Sequence, residues 1–82
     1  MAHLLLIEDD DQVRTALTRS LTELGHAVVS VPGAMAGLRS AVDGAPDLII
    51  LDLGLPDLDG VEMLRMLRGV SDVPVIVATA RD

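Results

Sequence analysis

The sequence contains no cysteine, no phenylalanine, tyrosine or tryptophan, and no lysine. The lack of cysteine excludes disulfides, thiolate chemistry and cysteine-based zinc sites together. The lack of aromatic residues means that any core must be aliphatic. With no lysine, six arginines stand against thirteen acids, and the formal net charge is −7. Such a surface repels phosphate backbones, and nucleic-acid binding depends on basic clusters that release counterions, so this segment alone is not expected to bind DNA. No apolar run approaches the ~20 residues of a membrane span. The start, Met1-Ala2-His3, lacks the basic flank of a secretion signal, so a soluble cytoplasmic protein with no membrane partner is expected.

What is present is aliphatic and ordered. Half of the 82 residues are hydrophobic, which rules out a disordered tail. The length allows one small domain, which buries only roughly 60% of its unfolded surface. Short apolar runs alternate with helical patterns. His3-Leu4-Leu5-Leu6-Ile7 is a continuous run stopped by acids, as in a strand buried on both faces. Across residues 11–24, Val13, Leu17, Leu21 and Leu24 form one stripe with Ala16 beside it; Asp10 or Asp11 can cap that helix, and Gly25 suits its left-handed end. Residues 26–31 read as a second strand ended by Pro32-Gly33. Residues 34–42 read as a short helix with Leu38, Ala41 and Val42 inward, stopped near Gly44-Ala45-Pro46. Leu48-Ile49-Ile50-Leu51 is the third strand, ended by Asp52. A loop then leads to Asp59-Gly60 and a helix carrying Val61, Leu64 and Leu67, closed by Gly69. Residues 73–78 form the fourth strand, followed by Thr79-Ala80-Arg81-Asp82.

Strands separated by helices in this order predict a doubly wound α/β fold, a parallel sheet with helices on both faces. Ligands of such sheets bind beyond the carboxyl ends of the strands, where strand order reverses. In the flavodoxin-like order 2-1-3-4 that crevice lies between strands one and three, which end in Glu8-Asp9 and Asp52. Strand four brings Thr79 to the same edge. Three carboxylates in a partly dry crevice repel one another and raise their own pKa values. A hard divalent cation resolves this, and magnesium favours one or two carboxylates, waters and phosphate oxygens. Such an ion could bridge a carboxylate nucleophile and an incoming phosphoryl group, with the Thr79 hydroxyl and the Leu53 and Ala80 amides as donors.

Four strings carry a resemblance that spans the chain: Leu5-Leu6-Ile7-Glu8-Asp9-Asp10, Pro46-Asp47-Leu48-Ile49-Ile50-Leu51-Asp52, Leu55-Pro56-Asp57-Leu58-Asp59-Gly60 and Val73-Pro74-Val75-Ile76-Val77-Ala78-Thr79-Ala80. In that order and spacing they resemble the receiver (CheY-like) domains of bacterial two-component response regulators. The Glu8-Asp9 pair with Leu51-Asp52-Leu53-Gly54-Leu55-Pro56 is most similar to the OmpR/PhoB branch, whose members carry a DNA-binding domain after the receiver. The resemblance implies that Asp52 accepts a phosphoryl group from a sensor histidine kinase. It also implies that Asp9, Asp52 and the Gly54 carbonyl hold Mg2+, with Glu8 acting through water. Thr79 would be the switch hydroxyl and the Ala80 amide a phosphoryl contact. The intact protein would dimerise when phosphorylated and reach DNA only through an output domain outside this chain. The family also places a lysine on a fifth strand and an aromatic switch residue nearby, and this chain has neither. Residues 1–82 are therefore expected to be the N-terminal portion of a receiver lacking the last α-β-α elements, with an exposed fourth strand prone to pairing with another chain.

Other functions fit less well. A phosphatase of the haloacid-dehalogenase type needs a second Asp two residues after the nucleophile, where Gly54 stands. A flavodoxin needs a hydroxyl-rich loop after the first strand, and Glu8-Asp9-Asp10-Asp11 would repel a flavin phosphate. The alternative that remains is a receiver-like interaction module that is never phosphorylated. Neither reading makes the chain an enzyme. Asp57 and Asp59 are expected to serve as turn and N-cap residues before Val61, and Met63 and Met66 as packing. Gly60 is expected to permit close approach of its helix.

Overall fold

Apolar runs of four and five residues, too short for stable helices and rich in Leu and Ile, make up the centre of the computed structural model, which describes residues 1–78. The elements are β1 (His3–Ile7), α1 (Asp11–Glu23), β2 (Ala27–Val31), α2 (Ala34–Gly44), β3 (Leu48–Leu51), α3 (Gly60–Val70) and β4 (Val75–Val77). All strand pairs are parallel, and the sheet order is β2-β1-β3-β4, as predicted. Leu5 lies beside Val29 and Ile49, and Ile7 beside Val31 and Leu51, so the carboxyl ends of the two central strands are level.

Alternation along the strands sends Leu5, Ile7, Ile49 and Leu51 to one face, where they pack with Ala34 and Ala41 of α2 and Met63 and Leu67 of α3. Six of these side chains are large and fully buried on strands or α3, and each contributes about 2 kcal/mol of transfer free energy. Leu4 and Leu6 point to the opposite face, and both are buried. There α1 lies over β2 and β1. Beyond α1 that face opens, and Ile76 is 51% exposed.

The helix starts follow from capping. Asp10 is the N-cap of α1, its Oδ1 accepting from the Gln12 and Val13 amides at 2.9 and 3.0 Å. Gly25 follows that helix with φ 94°, a left-handed conformation that costs a glycine little. Asp59 caps α3 by accepting from the Val61 amide at 2.8 Å. Asp57 stands in the turn before α3, as expected, but it also has a role the sequence reading did not include. Its two oxygens accept from the Ala34 and Met35 amides at 2.9 and 3.1 Å, which caps α2 from a loop 22 or 23 residues away.

The helix faces differ from the sequence reading at several residues. Leu24, Val42 and Val61 were expected to point inward and are 73%, 58% and 61% exposed. In α2 the inward face is set by Ala34, Gly37 and Ala41, and in α3 by Gly60, Met63 and Leu67. The small residues among them, Ala34, Gly37, Ala41 and Gly60, let the helices approach closely. A Cβ on Gly37 would lie 2.5 Å from Ile7 Cδ1 and 3.2 Å from Met63 Cε. Gly60 performs the expected function, since a Cβ there would lie 2.8 Å from the Leu53 Cα. Gly69 does not close α3, which runs on to Val70 with Ser71 as its C-cap. The fourth strand is shorter than residues 73–78. Val73 is held by the Arg68 guanidinium and the Ser71 hydroxyl, and pairing with β3 starts at the Pro74 carbonyl.

Candidate functional site

The chain leaves β1 after Ile7 and β3 after Leu51, and ladder hydrogen bonds continue just past both ends. The Asp52 amide donates to the Ile7 carbonyl at 3.0 Å, and the Glu8 amide to the Val31 carbonyl at 3.1 Å. On the other side the Ala78 amide donates to the Leu51 carbonyl at 2.9 Å. The first residues after three strands are thus fixed by backbone pairing, and Glu8 and Asp52 meet at the central crevice for topological reasons.

Glu8, Asp9 and Asp52 each bring one carboxylate oxygen into a group whose members all lie within 4.8 Å of one another. Glu8 and Asp52 are 5% and 4% exposed, so two of the three acids are buried at the edge of an aliphatic core. Burial pushes the Glu8 carboxyl up to about 6 from its ordinary 4.5. The Asp10 amide, donating to Glu8 Oε2 at 3.1 Å, pulls in the opposite direction, while the nearby Asp52 and Asp9 carboxyls add to the rise. Asp52 Oδ1 accepts from the Gly54 amide at 3.2 Å, which folds the following loop back onto the carboxylate. This donor set fits a hard divalent cation. It offers oxygen ligands only, with clustered negative charge and partial exposure at Asp9.

The four-residue acidic run divides cleanly. Glu8 and Asp9 face Asp52, whereas Asp10 caps α1 and Asp11 pairs with Arg14. Arg14 also donates to the Glu8 carbonyl at 3.0 Å, which ties α1 to the end of β1. That brace was not anticipated from the sequence. An arginine one turn into the helix that follows the acidic strand end is the signal that could have shown it. Thr79 and Ala80 lie outside the described residues. Ala78, the last described residue, stands beside the end of β3 at the same sheet edge as Asp52.

A parallel sheet with an acidic crevice between its two central strands defines a receiver-type α/β domain. Residues 4–82 match the response regulator receiver domain family, and the chain belongs to that family. It is 48% identical over 82 residues to the transcriptional regulatory protein AfsQ1 of Streptomyces coelicolor, covering 100% of this chain and 36% of that protein. It is 47% identical over 81 residues to the KDP operon transcriptional regulatory protein KdpE of Escherichia coli, with 99% and 36% covered. These relatives are response regulators of the OmpR/PhoB type. The chain thus spans about a third of the length of the curated relatives it matches. Among solved structures, response regulator TrrA of Thermotoga maritima in complex with Mg(2+)-BeF superposes with a TM-score of 0.92 at 28% identity, over 100% of this chain and 72% of that one. TrrA in complex with the histidine kinase ThkA gives 0.91 at 28% identity over the same shares. Among the described residues no helix is long and apolar enough to cross a membrane.

Proposed function

We propose that this receiver domain accepts a phosphoryl group on Asp52 from a phosphohistidine of a sensor kinase. The observation that carries the reading is the meeting of Glu8, Asp9 and Asp52 within 4.8 Å at the carboxyl edge of the sheet. An Asp52 carboxylate oxygen attacks the phosphorus in line with the bond to the histidine nitrogen. The P–O bond forms as the P–N bond breaks, leaving an acyl phosphate and a neutral imidazole that has taken up a proton. The Gly54 amide donates to Asp52 Oδ1 and so fixes the orientation of the carboxylate. Asp9, Asp52 and the Gly54 carbonyl are the direct Mg2+ ligands in this proposal, with Glu8 acting through water. Bound magnesium would neutralise charge that builds up on the transferring oxygens. The Thr79 hydroxyl and the Ala80 amide are the proposed donors to the bound phosphoryl group.

The complexes of TrrA with Mg(2+)-BeF and with a histidine kinase support both the cation and the partner. For the whole protein, the transcriptional regulatory relatives support a transcription regulator, and the proposal extends this to a cytoplasmic protein that dimerises on phosphorylation and contacts DNA through a separate output domain. Acetyl phosphate with magnesium tests the site, with phosphorylation read by intact mass. One phosphoryl group should be added, and Asp52→Asn should abolish the addition. Asp9→Ala should weaken Mg2+ binding far more than Asp11→Ala, because Asp11 is paired with Arg14 away from the cluster. Labelling of Asp52→Asn at the wild-type rate would remove the assignment. Failure of the wild type to label while binding Mg2+ would favour an unphosphorylated interaction module.

A further inference from the structure

Away from the acidic edge, a cleft of about 300 Å³ runs between α1 and β2, lined by Arg14, Thr15, Thr18, Arg19 and Ser30. Three hydroxyl-bearing and two arginine side chains line it, and among the described residues no carboxylate does. This is unusual in a chain of net charge −7 with only six arginines. Asp11, one turn before Arg14, is already engaged by that arginine. Arg19 forms no ion pair among the described residues. Thr18 Oγ1 is buried in the wall of the cleft, with no hydrogen-bond partner among the described residues.

The edge of the sheet adds a further donor. β2 is an outer strand, and its Ala27 amide and Val31 carbonyl face β1 by bonding to the Ala2 carbonyl and the Glu8 amide. Backbone groups of alternate residues in a parallel strand face the same neighbour, so the Ser30 amide is turned to the free edge beside the cleft. We propose that this cleft is a binding site for a small multivalent oxyanion of the phosphate type, distinct from the Asp52 crevice. Arg19 supplies charge, Thr15 and Ser30 supply hydroxyl donors, and Arg14 supplies a guanidinium already fixed by Asp11 and the Glu8 carbonyl.

Inorganic phosphate is the probe. The amide spectrum of the isotope-labelled chain is followed during titration at constant ionic strength set by chloride, with divalent cations chelated. Saturating shifts confined to Thr15, Thr18, Arg19 and Ser30 are expected, and they should persist in Asp52→Asn. Arg19→Ala and Ser30→Ala should each weaken binding by about tenfold, the effect of removing one charge-assisted contact. Arg39→Ala, which removes an equal charge from α2 on the other face of the sheet, should change it by no more than about twofold. Shifts that do not saturate, that spread over all the arginines, or that survive Arg19→Ala unchanged would overturn the proposal. So would their loss in Asp52→Asn, which would assign the anion to the crevice instead.

Discussion

Replacing Glu8 by Gln is expected to stabilise the metal-free domain at neutral pH, although it removes a buried side chain's charge from the middle of the candidate site. The unfolded chain releases the Glu8 proton near 4.5, and the folded chain holds it to about 6. Between those values the folded state binds more protons, so stability is highest below the lower value and falls as pH rises through the upper one. Moving a carboxyl from 4.5 to about 6 corresponds to about 2 kcal/mol lost once Glu8 is ionised. Gln avoids that loss and still offers an oxygen to the Asp10 amide. For a domain of this size the difference is about 10 °C in melting temperature, as an upper bound. Thermal melts of wild type and Glu8→Gln with divalent cations chelated, at about pH 4 and about pH 7.5, isolate the effect because the other acids titrate in both proteins. The variant should match the wild type at the lower pH and exceed it at the higher. Magnesium should narrow the gap by binding the wild type. A variant less stable than the wild type at both pH values, or a difference that does not change with pH, would refute the reasoning.

Two further expectations concern backbone approach and capping. Gly60→Ala should cost about 1–3 kcal/mol, because its Cβ runs into the Leu53 backbone, and it should slow phosphoryl acceptance at the adjoining Asp52. Gly69→Ala, with nothing within 4 Å of the new methyl, should instead raise the melting temperature through helix propensity worth up to about 1 kcal/mol. The Ala34 and Met35 amides hold the Asp57 carboxyl below its ordinary 3.8, so its contribution is present above that value and is lost as pH falls through the lowered one. Asp57→Ala should speed hydrogen exchange at Ala34 and Met35 at neutral pH while leaving phosphorylation at Asp52, and exchange unchanged in the variant would contradict the cap.

The strands were legible because each is an apolar run cut off by acids, Gly or Pro, and β1 and β3 lie where those interruptions place them. Parallel pairing in turn brought Glu8, Asp9 and Asp52 together before any coordinates were needed. The helix faces were less legible because large apolar residues dominate a periodicity reading. What seats α2 and α3 is the smallness of Ala34, Gly37, Ala41 and Gly60, and smallness carries little weight on a hydrophobic scale. Val42 and Val61 were misassigned inward for that reason. The cap that Asp57 supplies to α2 was missed for a different one. Local patterns see a cap only within a few residues of its helix, and this one reaches α2 from beyond β3. The sequence did hold an indirect sign, because Gly33 stands at the α2 N-cap position with no side chain to accept from the first turn.

Asp57 and Gly60 also explain why the acidic crevice can be held in an unfavourable arrangement. Two buried carboxylates at a strand edge oppose folding, and the elements beside them must supply the compensation. The loop after Asp52 is fixed at three points: Gly54 onto Asp52, Leu53 against Gly60, and Asp57 onto the start of α2. The loop is therefore anchored by α2 and α3, which belong to the well-packed face, and the charge conflict at its root is left for a cation to relieve. On the proposed function, binding of a cation or a phosphoryl group would stabilise the domain, because it would relieve a charge conflict that folding leaves in place. The raised Glu8 carboxyl follows first from its own burial and then from the Asp52 and Asp9 carboxyls beside it.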